Sequence, residues 1–428
     1  MISNNALKFG LFACLVLAVF AAIGVAFVTY FGPSGSRGSV DDGERSAEIL
    51  MDVCGDGRPL ILDIGAFDWD YKITTPEQAL DLLGDVSLGD DRAVMGATLD
   101  WNGDGQSARS ELQRLNAFRY FIPILRMARS TRQTDVERAL ALEQQVMKWV
   151  EDWAGRYAYD PADPSQRTSD NPYAWYQMAT GQRAAVIGYL FQVASCEGRL
   201  SEKDLDVLRG LARDHEALLR REDFWAAHSN IGYFQSLGLF ALAVQAPEAL
   251  LQADATRQLA VERMRDYLQD AVASDGVHLE HSPFYHAFTL NSLARIAPAL
   301  NSANEDEAKI LTVFERMQRA QAAMLTPSGL LVPIGDSRWM SGERLFPPGS
   351  DTYSALDTEL KDAISGRGDA KYEDSPLFVS RDAGFAAFSK RGRGEETTYV
   401  AFTAGFHSLV HKQVDDMSFL WIENGVPI

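Results

Sequence analysis

Cysteine is scarce: three in 428 residues, with no CxxC pair and no Cys/His spacing suited to zinc. A disulfide-stapled small scaffold is excluded, and Cys54 and Cys196 can pair only if the chain is exported. Positive charge is also short. Forty Lys and Arg face 59 Asp and Glu, a formal net charge of −19, which argues against nucleic acid as a partner. A polyanionic partner would need local positive patches to override that field. A regular repeat period is missing too, which argues against a sequence-regular solenoid.

Charge is absent altogether from Phe9 to Phe31. That run matches the ~20 apolar residues a helix needs to cross a bilayer. A cleaved leader has a shorter apolar core and a small-x-small cleavage site, and the Val-Thr-Tyr-Phe-Gly-Pro ending here is a poor one. The reading is an uncleaved anchor over residues 1–32, followed by a Gly/Ser/Pro linker at 33–45. Lys8 on the N-terminal side places the body outside the cytoplasm, in the periplasm or the extracellular space.

What is present is a large apolar fraction, 46%, enough for a sizeable core and for two domains. From 46 to 326 apolar residues recur at three-to-four spacing, predicting helices over 110–129, 135–154, 173–195, 202–220, 230–245, 255–273, 286–300 and 305–325. A bundle, a solenoid and an α/α barrel all satisfy that pattern. After Pro327 the texture turns to short β-rich runs at 330–334, 384–388, 398–402 and 417–422, an all-β region of roughly four strands, too few to close a sandwich. The expectation is that the β-domain continues past Ile428.

Three distant segments concentrate polar chemistry. The first is His228-Ser-Asn230-Ile-Gly-Tyr, where Asn230 reads as a helix N-cap or as a donor in a site. The second is Asp275-Gly-Val-His-Leu-Glu280-His281-Ser-Pro-Phe-Tyr285-His286, either a hydrogen-bonded helix entry or a site. The third is His407-Ser-Leu-Val-His411-Lys-Gln413-Val-Asp415-Asp416-Met-Ser-Phe, either a solvated hairpin turn or a sheet-rim site.

Together these segments resemble the heparinase II/III superfamily of polysaccharide lyases, with its Asn-His-Gly, Glu-x-Ser-x-x-Tyr-His and His-x-His-x-Asp-Asp-x-Ser-Phe segments. Ala174-Trp175 with Arg183, and Gly329 with Ile334-Gly-Asp336-Ser, support the likeness. The resemblance implies an incomplete α/α toroid followed by an antiparallel β-sandwich. It implies β-elimination at a uronate: the carboxylate charge is neutralised, the α-proton is removed, and the 4-linked sugar leaves. On that basis Asn230, Tyr285 and His411 are the catalytic candidates, and Trp175, Arg183, Glu280, His281 and His286 the substrate-binding ones. An unperturbed Tyr titrates near about 10, so Tyr285 acting as base needs positive charge nearby.

The chain departs from the family pattern at Ile231, Gln177-Met178 and Gln413. Gln413 stands where several members carry a zinc-ligating His, which argues against that metal, and no cofactor is required for the chemistry. These losses favour the alternative, a catalytically degenerate polysaccharide-binding or exopolysaccharide assembly protein. A hydrolase would need two carboxylates across a cleft, and Glu280 and Asp336 are the candidates. Separately, Asp100-Trp-Asn102-Gly-Asp104-Gly, followed by Glu111, fits a calcium-loop pattern, or else an Asx-rich turn entering a helix. The Phe and Leu residues at 234–240 read as core, and His215 as a helix-surface residue.

Overall fold

The computed structural model describes residues 59–65, 86–88, 91–93, 99–102, 109–163, 171–197, 200–366, 377–391, 396–407, 413 and 417–428. The expected anchor, the linker, Cys54, Asp104 and His411 lie outside them. Among the described residues no helix is long and apolar enough to cross a membrane. The chain from Ala47 onward forms one compact unit.

A two-stranded hairpin, β1 (Val86–Leu88) and β2 (Asp91–Ala93), comes first. Helices follow: α1 (Arg109–Asn116), α2 (Ile122–Thr131), α3 (Val136–Arg156), α4 (Gln177–Glu197) and α5 (Glu202–Leu219). Then come α6 (Asn230–Gln245), α7 (Ala253–Ala271), α8 (Pro283–Ile296) and α9 (Glu305–Ala323). The helix expected over 110–129 is two. Phe118 takes a left-handed φ of 58°, and Pro123 opens the next helix, so the pattern runs on while the backbone breaks.

Helix starts follow local chemistry. Asp135, Ser201, Ser229, Ser282 and Asn304 each accept a hydrogen bond from a backbone N–H in the first turn they precede. Ser201 and Asp204 complete a reciprocal capping box.

Helices α4 and α6 pack most closely. Every residue of α6 from Gly232 to Gln245 is buried, so the helix is enclosed all round. The two backbones meet through glycine. A β-carbon on Gly238 would lie 1.9 Å from the Gly181 carbonyl oxygen, and one on Gly181 would lie 2.4 Å from that of Phe234. At the far end of α6, the buried Gln245 side chain accepts from the Ile61 N–H at 2.6 Å and donates to the Ile61 carbonyl at 3.0 Å, pinning the 59–65 segment to the core.

Beyond Pro327 the chain is not purely β. A short hairpin, β3 (Leu330–Leu331) with β4 (Met340–Ser341), leads into α10 (Gly342–Leu345), α11 (Asp351–Ser354) and α12 (Thr358–Ser365). The Leu330 run therefore pairs locally. The main sheet is an antiparallel meander of β5 (Leu377–Ser380), β6 (Phe385–Arg391), β7 (Thr397–Thr403), β8 (Ser418–Glu423) and β9 (Val426–Pro427). One face buries Phe378, Ala387, Tyr399, Ala401 and Ile422, while Val379, Phe419 and Trp421 on the other are exposed. The Tyr399 hydroxyl donates to the Ala323 carbonyl at 2.8 Å, and the Ser380 hydroxyl to Asp275 at 2.7 Å, tying sheet to helices.

Gly238→Ala is expected to force α4 and α6 apart and to cost about 1–3 kcal/mol by overpacking. Chemical denaturation would show it as a lower midpoint at unchanged slope.

Candidate functional site

The site is built on the first turns of α6 and α8. Phe234 and Phe288, about one turn into each helix, meet with ring centroids 5.3 Å apart. Asn230 and Tyr285 thus both lie within one turn of a single contact. The cap of α6 is Ser229, whose hydroxyl accepts from the Gly232 N–H, so Asn230 does not serve as the cap. Asn230 is half-buried, and its side-chain amide makes no hydrogen bond among the described residues. Preceding it, His228 adopts a left-handed φ of 55° and pairs with Asp270 at 2.8 Å.

Tyr285 is half-buried in the first turn of α8, capped by Ser282. Burial raises its phenol above the ordinary value, and the negative charges of Asp336 and Glu280 raise it further. These carboxylates, like burial, disfavour ionisation of the phenol. Glu280 also acts on Tyr267, pushed up mainly by burial. Tyr267 stacks on Tyr233 at 4.7 Å, and its hydroxyl lies 3.3 Å from the His278 Nε2.

The β-region reaches the same place. The His281 Nε2 accepts from the His407 backbone N–H at 3.3 Å, and the two rings stack at 5.0 Å. Gln413 donates through its amide to Asp336. The structure therefore gathers Tyr285, Glu280, His281, Asp336, His407 and Gln413. Of these, the sequence reading singled out no role for His407; its position in the third polar segment was the available signal.

Three expected substrate contacts are instead enclosed in the core. His286 is fully buried; its Nδ1 accepts from the His278 N–H at 3.2 Å and its Nε2–H donates to the Met317 carbonyl at 2.9 Å. Trp175 is buried, donating to the Tyr157 carbonyl at 3.1 Å. Arg183 is fully buried with its guanidinium 4.0 Å from the Trp153 ring centroid and 4.9 Å from that of Trp175. Its Nε–H donates to His215 Nε2 at 2.9 Å. His215 is thus a core residue rather than a surface one. Its Nδ1–H donates to the Leu211 carbonyl at 2.7 Å, and burial holds the ring well below the usual imidazole range. Arg183, His215 and His286 lie on helices as their spacing predicts, whereas Trp175 sits in the turn before α4; the inward direction of all four comes from tertiary packing.

Of the calcium-loop candidates, Asp100 is exposed and accepts from the Asn102 N–H at 3.1 Å, closing an Asx turn. The Asn102 side-chain oxygen accepts from the Tyr157 hydroxyl at 3.3 Å, and Glu111 sits in the first turn of α1. Among the described residues no group of three or more His, Cys, Asp or Glu is arranged to hold a metal ion.

Burial pushes His286 down to about 4 from 6.5. The folded state refuses a proton the unfolded state accepts, so this contribution is complete above about pH 6.5 and is lost as pH falls toward about 4, roughly 3 kcal/mol in all. Denaturation midpoints measured across that interval should fall, and His286→Gln should flatten part of the slope. Arg183→Ala strands His215 and the Asn116 carbonyl and opens a cavity, and is expected to cost about 3–5 kcal/mol by the same measurement.

No curated protein matches the chain in sequence. Among solved structures, a heparinase III with methylated lysines superposes with a TM-score of 0.59 at 17% identity, covering 83% of this chain and 57% of its own. Heparan sulfate lyase HepC from Pedobacter heparinus gives 0.59 at 17%, covering 82% and 54%, and a further heparinase III gives 0.57 at 18%, covering 77% and 52%. The chain spans little more than half the length of these relatives. The likeness shows the fold, an α/α toroid followed by an antiparallel β-sheet of the sandwich type. Residues 71–347 match the model of the heparinase II/III N-terminus, and the chain belongs to the heparinase II/III family.

Proposed function

We propose that this chain is a polysaccharide lyase that cleaves a uronate-containing acidic polysaccharide by β-elimination. One arrangement supports the reading: an amide with no hydrogen-bond partner among the described residues, Asn230, stands one turn from the same Phe234–Phe288 contact as Tyr285, a phenol whose ionisation burial and nearby carboxylates disfavour. Proton abstraction next to a carboxylate needs that carboxylate neutralised as the enolate develops. The Asn230 N–H groups and the positive N-terminal end of α6 supply donors for it. With Asp336 and Glu280 beside it, Tyr285 is the acid, protonating the leaving glycosidic oxygen. Removal of the α-proton falls to His411, assigned by resemblance. His281 and Glu280 line the approach to Tyr285 and contact the sugar.

Zinc has no role in this scheme. A carboxylate only accepts hydrogen bonds, so the Gln413 atom facing Asp336 is the amide nitrogen, which is not a metal ligand. Calcium at Asp100, Asn102, Asp104 and Glu111 would be structural, steadying the entry to α1. The apolar run at 9–31 would hold the enzyme at the membrane, with the body in the cell envelope. The competing reading is a degenerate polysaccharide-binding protein, favoured by Ile231 in place of a histidine and by the engagement of Gln413.

The full chain, incubated with a panel of uronate polysaccharides, is expected to generate the ultraviolet absorbance of a conjugated unsaturated uronate. Tyr285→Phe should lower the rate by about 10²–10⁴ and Asn230→Ala by about 10²–10³. A flat trace across the panel, with binding retained, would move the assignment to the binder.

A further inference from the structure

The turn Gly335–Asp336–Ser337 is bonded to Tyr285's helix on one side and to the connection between β7 and β8 on the other. On the helix side, the Ser337 hydroxyl accepts from the Phe284 N–H at 2.9 Å and shares a hydrogen bond with the Ser282 hydroxyl at 3.0 Å. Ser282 in turn accepts from the Tyr285 N–H at 3.4 Å. Two hydroxyls, 55 residues apart in sequence, therefore satisfy consecutive orphan donors in the turn that carries the phenol. Gly335, at φ +60°, lies so close that a β-carbon on it would meet the His281 carbonyl oxygen at 2.1 Å. On the other side, Gln413 donates to Asp336.

We propose that this turn is a positioning clamp for Tyr285, and that Gln413 engages it from the β-region. The proposal rests on the reading of Tyr285 as the acid. Ser337 and Gly335 fix where the first turn of α8 lies, and hence where the phenol points. Asp336, the exposed residue between them, acts on the phenol through its negative charge together with Glu280. Gln413 holds that carboxylate in place with a neutral donor. A cation at position 413 would oppose the charge of Asp336; an amide orients the carboxylate without adding charge of its own. The β-region thus acts on Tyr285 through Asp336 and is a positioning element for it.

The test reads Tyr285 directly, so it does not depend on a substrate. The full chain is labelled with ring-¹³C tyrosine, and the Tyr285 signal is identified among the fourteen tyrosines by its loss in Tyr285→Phe. The signal is then followed through alkaline pH. Asp336→Asn and Gln413→Lys are both expected to move the Tyr285 titration to lower pH than in the unchanged chain, with helical circular dichroism preserved. Ser337→Ala is expected to speed hydrogen exchange at the Phe284 amide. Identical Tyr285 titrations in the unchanged chain, Asp336→Asn and Gln413→Lys would overturn the clamp. Should Asp336→Asn fail to fold, the exposed Gln413→Lys decides alone. A shifted titration in a chain that yields no unsaturated product removes the lyase assignment and leaves the clamp standing.

Discussion

The approach of α4 to α6 through Gly181 and Gly238 is the constraint on which the site depends. Neither position has room for a single methyl group, so the helix spacing is set by backbone against backbone. The residue whose carbonyl abuts Gly181 is Phe234, and the ring of that same residue meets Phe288 of α8. One side chain thus passes the spacing of the innermost helix pair on to the helix that carries Tyr285. Interiors packed at crystal-like density transmit small displacements instead of absorbing them. Asn230 and Tyr285 hold their places because the glycines behind them are in register.

Above that frame, the chemistry comes from charge placed with unusual economy. The carboxylates of Glu280 and Asp336 act on a phenol through their charge, and the histidines beside them, His281 and His407, are held by backbone contacts. The arrangement favours a Tyr that gives a proton over one that takes it. Burial first, and these two carboxylates after it, disfavour ionisation of the phenol.

Much of the fold was legible in the sequence because helix periodicity and capping are local. The starts at Glu202, Asn230 and Glu305, and the burial of 234–240, follow from spacing and from Ser or Asn ahead of the first turn. The break at Phe118 was not legible, since no glycine or proline marks a left-handed aromatic residue. The short helices α10 and α11 were missed because four-residue turns carry no periodicity, and the eight residues of α12 span barely two turns. For the site, the polar segments around Asn230 and Tyr285 were visible as composition, and the structure joins them. What composition cannot say is which way a polar side chain faces. Trp175, Arg183 and His286 look like site residues in sequence, and packing turns them inward. The role of Ser337 was hidden for the converse reason: a small hydroxyl 53 residues from the N–H it caps has no local signature.

The interior guanidinium of Arg183 has a consequence for how this domain endures its surroundings. Among the described residues its partners are ring faces, an imidazole nitrogen and a backbone carbonyl, with no carboxylate among them. An ion pair can be loosened by dissolved salt or undone by acid that neutralises its anionic half. Aromatic quadrupoles cannot be titrated, and a charge sealed from water is barely screened. This cation is therefore a fastening that brine does not weaken, buried within a chain whose net charge of −19 leaves its exposed groups to respond to every change in ionic strength.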